Sequence, residues 1–104
     1  MAWTRLLPLG EVPVGSARPV RLGPDELLVC RPADAVVYVL EDVCSHDGSS
    51  LGAQDLDGGA VTCPRHGARF DIASGAVLRS PAPVGIAVFP ARIALDWVEA
   101  DLED

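Results

Sequence analysis

Both histidines of this chain and two of its three cysteines fall between Cys44 and His66, as two tight pairs. Cys44 stands one residue before His46 and Cys63 two residues before His66, with residues 47–62, sixteen in all, between the pairs. Each pair can close on a metal from a single tight turn, so a fold that uses both must bring two turns face to face. Three cysteines cannot all pair within one chain, and two of these neighbour histidine. That argues for metal binding over a disulfide framework. Cys30 stands apart in LLVCR, mid-strand and without a partner, and reads as a buried structural thiol.

The chain around these pairs reads as strands. Proline, glycine and aspartate punctuate it at short intervals, which suits an all-β domain. TRLLPL (Thr4–Leu9) leads into a short turn or helical piece around Glu11. ARPVRL (Ala17–Leu22), ELLVCR (Glu26–Arg31) and AVVYVLE (Ala35–Glu41) follow, the last two flanking PAD as a three-residue hairpin turn. GAVTC comes after the Gly58-Gly59 turn, ARFDIA is joined to AVL by Ser74-Gly75, and two closing strands fit IAVFP and ARIALDWVE. No segment holds a ten-residue helical period, and no repeat is visible. The expectation is an all-β antiparallel sandwich of one domain, residues 1–104, with a small inserted lobe between about Asp42 and Pro83.

Composition narrows the function classes. Apolar residues make up 49% of the 104, which argues against disorder. The longest compact apolar run, Ala35–Leu40, is strand-sized and far short of the roughly 18–20 residues of a membrane span. MAWTRLLPLGEVPVG lacks a long apolar signal core and meets proline at Pro8, so the expected location is the cytoplasm, with no membrane. A net charge of -7 disfavours nucleic acid and anionic membrane surfaces and favours a basic partner face.

Four ligands of mixed sulfur and nitrogen admit two answers. One is a tetrahedral structural zinc held by two cysteines and two histidines. The other is a 2Fe–2S cluster in which cysteines hold one iron and histidines the other. Zinc modules usually open with cysteines two to four residues apart, so Cys-x-His fits them poorly. The iron–sulfur arrangement lets the first residue of each pair reach an inner iron and the second an outer one. Gly48, Gly52 and Gly67 would let backbone amides approach the sulfides.

Cys44-Ser45-His46 with Gly48, then Cys63-Pro64-Arg65-His66-Gly67, resembles the two cluster loops of Rieske iron–sulfur proteins. The likeness runs on through ARFDIASGAVLRSPAP, with Ser80–Pro83 similar to the family's proline loop, and covers about 40 residues. It implies a Rieske-like β-sandwich with one 2Fe–2S cluster in the lobe. Cys44 and Cys63 would be thiolate ligands of the buried iron. His46 and His66 would be imidazole ligands of the outer iron, near the surface, as the electron exit. Ser49 and Arg65 stand where respiratory members carry an extra cysteine in each loop, so no disulfide can flank the cluster. Asp47 replaces an apolar residue that in those members packs against a quinone-binding partner. The resemblance is therefore to the ferredoxin and oxygenase branch.

Within that branch the residues exclude two roles. A terminal oxygenase needs a separate non-haem iron, typically on two histidines and a carboxylate, and both histidines are already used. A reductase needs a flavin or nicotinamide site, and no Gly-x-Gly-x-x-Gly follows a strand. The resemblance then implies a monomeric one-electron carrier between an NAD(P)H-dependent reductase and a terminal oxygenase, and not an enzyme. The competing readings are the small subunit of an assimilatory nitrite reductase, many of which have lost ligands, and a structural zinc protein. Ala68 and Phe70 stand where high-potential members carry a serine and a tyrosine that hydrogen-bond sulfur. That places the expected potential low on the Rieske scale, at about -150 mV.

Overall fold

The computed structural model describes residues 2–80, 82 and 84–102. Its first strands are β1 (Trp3–Pro8), β2 (Ser16–Leu22), β3 (Asp25–Ala33) and β4 (Val36–Glu41). Four short ones follow: β5 (Gln54–Asp55), β6 (Ala60–Thr62), β7 (Arg69–Asp71) and β8 (Val77–Arg79). β9 (Val88–Phe89), β10 (Ala91–Ala94) and β11 (Trp97–Asp101) complete the set. They pair antiparallel in three sheets, ordered β5-β2-β3-β4-β9, β1-β11-β10 and β6-β7-β8. A 3-10 turn at Leu9–Glu11 follows β1, where the sequence predicts a turn or helical piece. No helix among the described residues is long and apolar enough to cross a membrane.

β3 organises the molecule. Leu27, Leu28, Val29 and Cys30 are all buried, and because successive side chains of a strand point to opposite faces, both faces must be covered. Leu27 and Val29 pack with Leu6, Val12, Val39 and Val98 beneath the three-stranded β1-β11-β10 sheet. Leu28 and Cys30 pack the other way, with Leu40, Leu51, Val61, Phe70 and the cysteines Cys44 and Cys63. The central sheet is thus shared by two cores, and the lobe core contains both paired cysteines. Pro19 is tolerated inside β2 because β5 covers that strand only at Ser16 and Ala17.

Three local expectations change. The PAD turn is shorter, because β3 runs on to Ala33 past an irregularity after Cys30 and reverses at Asp34–Ala35. The Arg31 guanidinium closes that corner by donating to the Asp34 carbonyl and to the Val12 carbonyl at 3.0 Å. ARIALDWVE is two strands, folding back at Leu95–Asp96 with φ of 52° and 64°. Neither residue is the glycine or asparagine that usually marks such a turn, so the hairpin was invisible in the sequence. β5, inside the expected lobe, pairs with β2 and so belongs to the central sheet.

Candidate metal centre

The two paired cysteines open turns of the same construction. After β4, the Gly48 amide donates to the Cys44 carbonyl at 2.7 Å and the Cys44 amide to the Ser49 carbonyl at 2.7 Å. After β6, the Gly67 amide donates to the Cys63 carbonyl at 3.0 Å and the Cys63 amide to the Ala68 carbonyl at 2.7 Å. A third copy follows β7, where Gly75 and Ala76 close on Asp71 at 2.8 and 2.9 Å. The glycines at the fifth position have φ of 76°, 77° and 75°, a left-handed conformation that side chains disfavour. The backbone therefore repeats three times where the sequence shows no repeat, since only the glycine is common to all three. The first two copies present ligand candidates, and the third presents Asp71, whose carboxylate accepts from the Ser74 amide and hydroxyl at 2.8 Å each. Those Ser74 hydrogen bonds hold Asp71 below the usual carboxylate range.

In this shared frame His46 is third in its turn and His66 fourth in its own. The complementary places go to Arg65 and Asp47, which meet with Nε 3.5 Å from Oδ2. Cys44 and Cys63 are buried, and His46 and His66 exposed. The imidazoles stand edge to face, with centroids 4.7 Å apart. The two thiols and an Asp47 oxygen lie within 4.8 Å of one another, and so do the two imidazoles and an Asp47 oxygen. All three cysteines are free thiols. Burial pushes the Cys44 thiol up. Burial acts on Cys63 too, but the Arg65 amide, the Cys44 thiol and the His66 amide together bring it below the ordinary thiol value. Cys30 is pushed to about 12 by burial and then by Asp42, as befits an inert core thiol.

This donor set suits two irons better than one ion. Ligand atoms around a tetrahedral zinc sit about 3.5 Å apart, given its usual bond lengths. Here the sulfur pair and the nitrogen pair each gather within 4.8 Å, but the four do not form a single group of that size. Two soft donors inward and two imidazoles outward fit a cluster held by two cysteines and two histidines.

Other side chains, to which the sequence analysis assigns no role, set the turns in place. Asp42, buried at the end of β4, accepts from the Leu51 and Gly52 amides at 2.9 and 3.1 Å and from the Ser50 hydroxyl. Gln54 accepts from the Thr62 amide at 2.9 Å and donates to the Thr62 and Leu51 carbonyls, fastening the residue before Cys63. Ser45 donates its hydroxyl to the Val84 carbonyl, tying the first turn to the following loop. Pro81 and Pro83 of the expected proline loop lie outside the described residues, while Ala82 packs into the lobe core.

Residues 2–90 match the family model of the Rieske [2Fe-2S] domain. The chain belongs to that family. It is 34% identical over 92 residues to ferredoxin CarAc of Metapseudomonas resinovorans, which covers 88% of this chain and 85% of the relative. It is 28% identical over 100 residues to the ferredoxin component of the naphthalene 1,2-dioxygenase system of Pseudomonas aeruginosa, covering 96% and 95%. Its fold matches a chain of the solved complex of reduced oxygenase and oxidized ferredoxin in carbazole 1,9a-dioxygenase. There the TM-score is 0.87 and the identity 32%, over 98% of this chain and 94% of the other. The Rieske-like antiparallel fold, the Rieske-type 2Fe–2S cofactor and the role of electron carrier all stand as expected from the sequence.

Proposed function

We propose that Cys44 and Cys63 hold one iron of the 2Fe–2S cluster and His46 and His66 the other, and that the whole chain, residues 1–104, acts as one monomeric carrier. The observation that carries the ligand assignment is the division of the donors into a buried sulfur pair and an exposed nitrogen pair. When bound, the cluster supplies a one-electron couple. The chain's own residues do the rest. Leu51, Val61 and Phe70 pack around the thiols and exclude water, and the exposed imidazole edges bring the site to a partner's surface.

The partners are an NAD(P)H-dependent reductase and a terminal oxygenase, by analogy with the dioxygenase systems to which the relatives belong. Those ferredoxin relatives and the full donor set favour this reading over a nitrite reductase small subunit. Ala68 and Phe70, both buried beside Cys63, bring no hydroxyl to its sulfur, which supports a potential at the low end of the Rieske range. Three free thiols suit the reducing cytoplasm.

The test is composition and spectroscopy of the purified protein. It should contain two iron and two sulfide per chain and, once reduced, show the low average g-value of a histidine-ligated cluster. His46→Ala and His66→Ala should each abolish that signal. One zinc and no iron, in protein made with iron available, would overturn the assignment.

A further inference from the structure

The sulfur of Cys63 has one hydroxyl close to it, from the opposite turn. Ser49 Oγ lies 3.8 Å from Cys63 Sγ, and either atom can donate while Cys63 is a thiol. As a thiolate ligand, Cys63 has no proton to give, so a hydrogen bond there would need the single proton of the Ser49 hydroxyl. That proton has a stronger claimant. Ser49 Oγ is 2.6 Å from Asp47 Oδ1, which also accepts the Ser49 amide at 3.0 Å. Hydrogen bonds from a hydroxyl to an ionised oxygen run about 2.5–2.7 Å and are roughly twice as strong as neutral ones. On the far side of the carboxylate, Oδ2 faces Arg65 Nε at 3.5 Å, which favours the anion and holds it in place. The equivalent fifth-step neighbour in the second turn is Ala68, so that turn offers no hydroxyl either.

We propose that Asp47 is a positioning residue that lowers the potential through Ser49: it takes the hydroxyl proton and leaves the Cys63 sulfur without that donor. Without a donor there, the more electron-rich reduced state loses a hydrogen bond it would otherwise gain. This rests on Cys63 being a cluster ligand, as proposed above.

The test is a double-mutant cycle on holo-protein. Midpoint potentials are measured at one pH for the wild type, Ser49→Ala, Asp47→Ala and the double variant, with iron and sulfide assayed in each. Asp47→Ala should raise the potential. Ser49→Ala should leave it unchanged when Asp47 is present. In the Asp47→Ala background, Ser49→Ala should lower the reduction equilibrium about tenfold, 59 mV for one electron. A Ser49→Ala effect that is the same in both backgrounds, whether zero or not, overturns the proposal. Should Asp47→Ala fail to hold the cluster, resonance Raman of wild type and Ser49→Ala decides alone. An iron–sulfur stretch that shifts in deuterated water in the wild type, and loses that shift in Ser49→Ala, would show the hydroxyl already on sulfur and overturn the proposal. An identical response in the two proteins upholds it. A wild type lacking two iron per chain sinks the ligand assignment itself, and the proposal with it.

Discussion

Asp42 shows how one side chain can decide whether a site exists without touching what the site binds. The residue is 5% exposed and directly follows β4, two positions before Cys44. By accepting two amides and a hydroxyl from residues 50–52, its carboxylate pins the far leg of the first turn to the near one. Asp42→Ala would strand those donors and should lower stability by about 2–4 kcal/mol, read as a fall in denaturant midpoint at unchanged slope. Iron content should fall with it. Asp42→Asn keeps an oxygen for both amides and should lose less, and an equal loss in the two variants would contradict this account. The four proposed donors could be picked out in the sequence because cysteine and histidine at tight spacing have few other meanings. Asp42 and Gln54 were not, because what they do depends on backbone groups 8–10 residues away that only the folded turns bring back.

The recurring turn sets apart what a sequence pattern can and cannot announce at the level of an element. Cys63–Gly67 was readable from its residues, but Asp71–Gly75 was read only as a Ser-Gly corner. Its identity with the other two lies in backbone hydrogen bonds rather than in shared side chains. The third copy also differs in its surroundings. A methyl group on Gly75 would come 2.1 Å from the Ile86 carbonyl oxygen, and one on Gly85 would come 2.6 Å from the Gly75 carbonyl oxygen. These two glycines press the turn against the loop that continues to β9, the same loop that Ser45 ties from the other side. Gly75→Ala should therefore cost about 3 kcal/mol or more, clash added to conformation. Gly58→Ala, at φ 62° with nothing within 4 Å, should cost only about 1–2 kcal/mol. Equal losses in a denaturation experiment would mean that the loop yields to the turn. The strand elements followed the same division. The β3 strand itself could be read from ELLVCR, whereas the reversal at Leu95–Asp96 could not, because the residues there are held in a left-handed turn by the pairing on either side.

Taken whole, the molecule separates its charge from its site. At the centre Asp47 and Arg65 face each other, so the net -7 resides mainly elsewhere on the surface. Several arginines are already engaged, with Arg5 and Arg92 on Glu99, Arg31 on Asp34 and Arg69 on Asp57. Attraction to a basic partner should then act at long range and fade as salt shortens its reach to about 10 Å at 0.1 M. Stopped-flow reduction of the terminal oxygenase should slow with rising ionic strength, and a rate indifferent to salt would refute steering by the acidic surface. The sandwich itself was legible from punctuation and strand-sized runs. Its division into two cores around one sheet was not, since it depends on β11 returning to lie beside β1. That return has a consequence in time. Trp3 pairs with Asp101, so the outer layer cannot close until nearly the whole chain has been gathered. Such long-range pairing belongs to the millisecond-to-second range of folding. The turns that present Cys44 and Cys63 each close over six residues and need none of that wait. On these timescales the proposed ligand turns should take shape before the outer sheet seals behind them.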